Sequence, residues 1–141
     1  MKFGTYADLK LALNGEKIFK EDNCPFCHDI VLNDQVLWKS NKWAILWNAY
    51  PYTLNEKHIM LIPVRHIHFS HELTSEEMAE IVEAYEYIRD FYADSKYFSF
   101  TRESLIGRSV EHLHTHFIAW DLERKALSEM LRTQGIPIND D

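Results

Sequence analysis

Histidine recurs at every second position of Glu111-His112-Leu113-His114-Thr115-His116, and an apolar run, Phe117-Ile118-Ala119-Trp120, follows at once. Alternation with period two is the periodicity of a β-strand, whose successive side chains point to opposite faces. The three imidazoles then share a face, and at about 3.3 Å of rise per residue neighbouring rings stand roughly 6.6 Å apart. Such a row suits an extended ligand. A lone histidine here would read as a solvated side chain on the polar face of a half-buried strand. Three in strict alternation point to chemistry, because imidazole titrates near neutrality and serves as nucleophile, acid or metal ligand.

Gly107-Arg108-Ser109-Val110 stand directly before the row. A glycine and a serine at that place can bring backbone N–H groups and a hydroxyl beside the imidazoles, as a phosphate or other oxyanion requires. The whole run, G-R-S-V-E-H-L-H-T-H, resembles the signature of the histidine triad (HIT) superfamily, G-Q-S-hydrophobic-x-H-x-H-x-H. Arg108 replaces the usual glutamine.

Composition limits what such a site can serve. The 141 residues make one ordinary domain, and 46% apolar with 13% aromatic residues supply a real core. Four glycines, four prolines and no biased tract or repeat leave no linker to split the chain. A formal net charge of −7 argues against a sequence-independent grip on duplex nucleic acid, so an anionic ligand must be met by a local cluster of donors. Small nucleotides fit that restriction. Met1 to Leu13 lacks a signal-peptide apolar core, and no run of about 18 apolar residues occurs that could span a membrane. A soluble, intracellular, cytoplasmic protein is expected.

Both cysteines lie in Cys24-Pro25-Phe26-Cys27. So close together, and without a secretion signal, they read as a metal half-site or a redox pair rather than a structural disulfide. Val36 to Trp38 and Trp43 to Trp47, separated by Lys39-Ser40-Asn41-Lys42, read as a hairpin. Pro51 then interrupts the strand pattern in Asn48-Ala49-Tyr50-Pro51-Tyr52. His58-Ile59-Met60-Leu61-Ile62-Pro63 reads as a buried strand stopped by its proline.

These segments extend the resemblance. N-x-Y-P-Y looks like the branch that includes dinucleoside polyphosphate phosphorylases, where the asparagine lies at the place of an acidic ribose contact, so Asn48 is the implied ribose ligand. His58 to His66 is similar to the second HIT signature, H-hydrophobic-hydrophobic-hydrophobic-I-P-x-x-H. In zinc-bearing members the ion is held by a C-x-x-C pair, the histidine closing that motif and the first triad histidine, which implies Cys24, Cys27, His66 and His112 here. A closed Cys₂His₂ set has no open coordination position and would be structural. His68 and His71 lie near enough in sequence to be alternatives to His66, but the family pattern supports neither.

Thr74-Ser75-Glu76-Glu77 is a capping-box pattern, and Met78, Ile81, Val82, Tyr85, Ile88 and Tyr92 recur at helical steps, the stripe of a long helix packed on a sheet. Glu83, Glu86, Arg89 and Asp90 make its solvated face. Tyr97 to Thr101 alternates as a strand leading towards the triad. The family's asparagine before G-Q-S has no clear counterpart here. Arg102 either replaces a neutral donor with a charged one, pairs with Glu103 or faces water. Asp121 to Arg132 reads as a short helix capped by Asp121 and ended before Gly135.

The expected architecture is α+β: an antiparallel sheet of about five strands, one long packed helix and a short C-terminal helix, in one domain over 1–141 with its motif-bearing core at about 24–119. The resemblance implies that His114 attacks an α-phosphorus to give a nucleotidyl-histidine, held in the right tautomer by the carbonyl of His112. His116 and His58 would bind the non-bridging oxygens, and Gly107, Arg108 and Ser109 would lie against the substrate phosphates or leaving group. It implies a hydrolase or transferase acting on a dinucleoside polyphosphate or nucleoside phosphoramidate, phosphorolysis included, in a homodimer with structural zinc. The competing class is a non-catalytic nucleotide-binding or adaptor protein with the same metal site.

Overall fold

The computed structural model describes residues 24–53, 56–93, 95–104, 110–119, 124–133 and 136. The readings made on Met1 to Leu13, on Gly107, Arg108 and Ser109, on Trp120, on the Asp121 cap and on Gly135 lie outside the described residues. In chain order the elements are α1 (Pro25–Leu32), β1 (Val36–Lys39), β2 (Trp43–Trp47), β3 (His58–Pro63), a 3₁₀ turn (Ser70–Glu72), α2 (Ser75–Tyr92), β4 (Tyr97–Thr101), β5 (Thr115–Ala119) and α3 (Arg124–Thr133). The five strands form one antiparallel sheet in the order β1-β2-β3-β5-β4.

β3 sits at the centre and is buried along its whole length, which explains why its sequence is apolar on both faces instead of alternating. Its odd residues, Ile59 and Leu61, join Trp43, Ile45 and Phe117 beneath α2. Its even residues face the other way, where Met60 and Ile62 pack with Cys24, Phe26 and Ile30 of the α1 segment and with Val110. Further along that second face Ile118 of β5 packs with Tyr52 and with Ala126 and Met130 of α3. The site is built on this second face. Side-chain parity therefore decides which strand residues can reach it.

The hairpin falls where its apolar runs placed it, with Lys39 paired to Ala44, and a bulge shifts the register between Val36 and Trp38. α1 is an element the sequence reading lacked. Its signals are short-range: Pro25 at the first helical position, Cys24 accepting from the Cys27 N–H as the N-cap, and Asn33 closing the end in the left-handed region at φ 57°.

α2 begins at the expected capping box, with Thr74 and Glu77 each accepting the other's backbone N–H. Its buried face differs from the expected stripe. Glu77, Ala84, Ile88 and Tyr92 are buried, while Met78, Val82 and Tyr85 stand about half exposed. The inward-facing Glu77 carboxylate is bound by the Thr74 N–H and by Arg65 at 2.8 Å. Glu83, Glu86, Arg89 and Asp90 are exposed as expected. α3 starts at Arg124, and nothing is described of the residues expected to cap it.

Candidate functional site

The three triad histidines do not form one evenly spaced row. β5 begins only at Thr115, so His112 and His114 precede it, and the rings of His114 and His116 stand 4.8 Å apart, edge to face, against the roughly 6.6 Å of an ideal strand. Leu113 N–H is bound by the carbonyl of Ile67, outside the sheet, and this local departure sends the three side chains to different partners. His112 goes to the cysteines. His114 turns to the carbonyl of His112, and His116 to His58.

His112 donates its Nε2–H to the carbonyl of Pro63 at 2.7 Å, which puts the lone pair on Nδ1. That atom lies 3.5 Å from Cys24 Sγ and 3.4 Å from Cys27 Sγ, and His66 Nδ1 lies 3.3 Å from Cys27 Sγ. One ligand atom from each of Cys24, Cys27, His66 and His112 falls within 4.8 Å of the others. A tetrahedral ion bound at ordinary metal–sulfur and metal–nitrogen lengths has sulfur–nitrogen edges of about 3.6 Å. The four residues are close enough to bind a metal ion. Burial pushes the His112 imidazole down to about 4, keeping it the neutral ligand such an ion requires. Both sulfurs also lie at the amino end of α1, where Cys24 Sγ accepts the Cys27 N–H. The redox alternative has no support beyond the spacing, and His68 and His71 lie outside the four-residue group.

On the other side of His112 its own carbonyl accepts the Nδ1–H of His114 at 2.7 Å, so neutral His114 carries its lone pair on Nε2. Its ring is buried, 7% exposed, with Phe26 of α1 edge-on at 5.0 Å. The same short segment thus gives a side chain to the metal group and a carbonyl to its neighbour.

The tautomers of the remaining pair follow from one backbone group. Tyr52 N–H donates to His58 Nδ1 at 3.1 Å, so His58 must carry its proton on Nε2. That proton goes to His116 Nδ1, 2.8 Å away, because His116 and His58 face each other diagonally across the β3–β5 pairing. His116 then holds its own proton on Nε2. Both rings are fully buried, and burial, with His114 and Arg102 nearby, pushes His58 down to about 3 and His116 well below the ordinary histidine range. Phe100 and Tyr52 stack on either side of His116 and fix its plane.

Asn48 lies in the same corner. Its Oδ1 accepts Tyr50 N–H at 2.7 Å in an Asx turn, and its Nδ2 stands 3.2 Å from His58 Nε2 and 3.7 Å from Met60 Sδ. Since Oδ1 is taken and His58 Nε2 is itself a donor, that approach is packing rather than a hydrogen bond. Gly107, Arg108 and Ser109 lie outside the described residues. The sequence reading left Arg102 open among three alternatives; its half-buried guanidinium reaches His116, with Nη2 3.3 Å from Nε2. The role of the Tyr52 N–H was missed altogether. A backbone donor leaves no mark in the sequence, although the adjacent Pro51 signals a fixed turn.

The chain therefore places the His114 ring, whose Nδ1 is bound to the His112 carbonyl, next to the buried His58–His116 pair and beside four residues close enough to bind a metal ion. Comparison with known proteins agrees with that arrangement. The sequence matches the family described as "Scavenger mRNA decapping enzyme C-term binding" over residues 23–131. Among curated proteins none matches the sequence. Solved structures with the same fold include a hypothetical protein from Leishmania major, at 24% identity and a TM-score of 0.62, covering 73% of this chain and 77% of that one. A HIT family hydrolase from Clostridium thermocellum shares 20% identity at a TM-score of 0.59, covering 70% of this chain and 91% of that one. Another from Legionella pneumophila shares 21% at 0.55, covering 68% and 91%. With the sheet order, the histidine geometry and the family match in agreement, the chain belongs to the histidine triad superfamily.

Proposed function

We propose that the protein is a nucleotide hydrolase or transferase that cleaves an α-phosphate linkage of a dinucleoside polyphosphate or nucleoside phosphoramidate through His114. The observation that carries this reading is the 2.7 Å bond from His114 Nδ1 to the His112 carbonyl, which leaves the ring proton on the nitrogen remote from the reacting centre. Nε2 attacks phosphorus, the bond to the leaving group breaks, and the imidazole's growing positive charge is steadied by that carbonyl. His116 Nε2–H donates to a non-bridging oxygen, and His58 holds His116 in the tautomer that can do so. Water or another acceptor then takes the nucleotidyl group from His114. Asn48 is assigned to the ribose, and Gly107, Arg108 and Ser109 to the phosphates and leaving group. The HIT family hydrolases of the same fold support hydrolysis as the reaction class.

Zinc is the metal proposed for Cys24, Cys27, His66 and His112, because two sulfurs and two imidazoles in a closed set suit that ion. It would serve structure, tying α1 and the triad segment to the end of β3. A homodimer is proposed from a further observation: Met78, Val82 and Tyr85 of α2 and Tyr97 and Phe98 of the edge strand β4 expose apolar surface that a second copy would cover.

The test is product analysis. Wild type and His114→Ala are incubated with diadenosine tetraphosphate, a 5′–5′ dinucleoside triphosphate cap analogue and an adenosine phosphoramidate, each with and without inorganic phosphate. AMP plus ATP from the tetraphosphate, in wild type alone, is the expected result. ADP plus ATP only with phosphate would make the enzyme a phosphorylase. Turnover that survives in His114→Ala would refute the covalent route.

A further inference from the structure

A single peptide group orients His114, and that group is itself held on its other edge. The carbonyl of His112 accepts the His114 Nδ1–H at 2.7 Å, and the N–H of the same peptide, that of Leu113, donates to the carbonyl of Ile67 at 2.7 Å. A hydrogen bond at an amide N–H polarises the carbonyl conjugated to it, so the two bonds strengthen each other and fix the planar group from both edges. Where the His114 ring points therefore depends on where Ile67 lies.

Ile67 belongs to the segment between β3 and α2, which is pinned along its length. Val64 N–H donates to the Lys42 carbonyl at 2.9 Å, the Ile67 side chain is buried, and the N–H groups of His68 and Phe69 both donate to Glu72 Oε2. Arg65 closes the segment. Its Nη2 donates to the Glu72 carbonyl at 2.7 Å and to Glu77 Oε1 at 2.8 Å, which ties the start of the segment to its end and to the first turn of α2. Glu77 is 3% exposed, and the same Oε1 accepts the Thr74 N–H at 2.9 Å, so the acceptor that Arg65 meets is fixed in place.

We propose that Arg65 is a positioning residue for His114: paired with Glu77, it holds the segment over 64–72 so that the Ile67 carbonyl sets the peptide between His112 and Leu113 and, through it, the imidazole. Between Arg65 and the ring every link is a backbone group, which no substitution removes. Arg65 is thus the place where a side chain enters the relay. Misplacing a reacting group by about 1 Å costs on the order of hundredfold in rate, so a contact this far from the chemistry has leverage on it. The effect on turnover rests on reading His114 as the nucleophile; the effect on its ring does not.

The ring is observed directly. Nuclear magnetic resonance of the nitrogen-labelled protein without substrate follows the His114 Nδ1–H, its signal identified by its loss in His114→Ala. Turnover is measured on whichever of the three substrates above wild type cleaves fastest, with melting temperature and zinc content recorded for every variant, since His66 lies in the same segment. Arg65→Gln should move the signal upfield, speed its exchange with water by roughly tenfold and lower kcat by roughly threefold to tenfold, with KM within about twofold of wild type. Arg65→Lys, which keeps the charge opposite Glu77 but not the fork, should fall between, and it serves if Arg65→Gln melts early. Thr74→Ala removes the α2 cap but leaves Arg65 both acceptors, so it should lower the melting temperature and leave the signal and kcat alone. No such signal in wild type, an unchanged signal in Arg65→Gln, or an Arg65→Lys no nearer wild type would overturn the relay. So would an equal change in Thr74→Ala, or full recovery of Arg65→Gln on adding zinc, which would place the effect at the metal group. If the signal responds to Arg65 but no substrate is cleaved, the positioning stands and the proposed reaction fails; cleavage through His114 with a signal indifferent to Arg65 is the reverse.

Discussion

His58 has two jobs that two isosteric changes can separate. Its Nδ1 accepts the Tyr52 N–H at 3.1 Å, and its Nε2–H donates to His116 at 2.8 Å. In His58→Asn the side-chain oxygen sits as many bonds from Cβ as Nδ1 does, so it can still accept from Tyr52, but no donor reaches His116. In His58→Gln the amide nitrogen sits where Nε2 was, and the acceptor for Tyr52 is lost. Tyr52 is 3% exposed, so water cannot replace that acceptor. An unsatisfied buried N–H costs about 1–3 kcal/mol. At roughly 3–5 °C per kcal/mol for a domain of this size, His58→Gln should melt about 3–15 °C below His58→Asn. Function should run the other way: AMP binding weakens by roughly tenfold in His58→Asn, where the His116 proton is no longer assigned, and less in His58→Gln. Thermal melts by circular dichroism and AMP titrations of the two variants decide it. Equal melting temperatures, or stronger AMP binding by His58→Asn, would refute the placement of the His58 and His116 protons on Nε2.

Metal removal should lower stability more than catalysis requires: a strong chelator, or Cys27→Ser, should reduce the melting temperature, with added zinc restoring the chelated wild type but not the variant. A melt indifferent to chelator would sink the metal assignment. Glu77→Ala removes the carboxylate arm of the α2 capping box and the acceptor of the Thr74 N–H, a loss of about 2 kcal/mol by urea unfolding; a change under about 0.5 kcal/mol would show that the buried carboxylate is dispensable. Acid should unfold the protein early. His58 and His116 are held below the ordinary range of 6.5, so the unfolded chain binds more protons at mildly acid pH, and the stability they contribute is complete above about 6.5 and is lost as pH falls towards about 3. A urea midpoint that stays flat from pH 7.5 to 4.5 would contradict burial of neutral rings.

Much of this molecule is visible in its sequence because the relevant interactions are local. The hairpin, the β3 run ending at Pro63, the Thr74 capping box and β4 each follow from periodicity or from residues within a few positions of one another. α1 is equally local, marked by Pro25 at its first position and by Asn33 in the left-handed region at its end, within a Cys-Pro-Phe-Cys segment that also carries the metal spacing. α2 shows the limit of hydropathy. Met78, Val82 and Tyr85 of its stripe stand about half exposed, while Glu77, whose carboxylate is bound to Arg65 twelve residues earlier, is buried.

The sequence by itself determined which residues are available for chemistry: histidines in alternation, a cysteine pair, and His58 and His66 bracketing an apolar strand, all in the order of a histidine triad protein. Tertiary structure decided what each of them does, because an imidazole's role depends on which nitrogen holds its proton. The Pro63 carbonyl turns His112 to the cysteines, the His112 carbonyl sets His114, and the Tyr52 N–H sets His58 and, through it, His116 and its meeting with Arg102. Each of those partners is a backbone group or a residue many positions away. Backbone groups are the same in every sequence, so only the fold could say where they would lie.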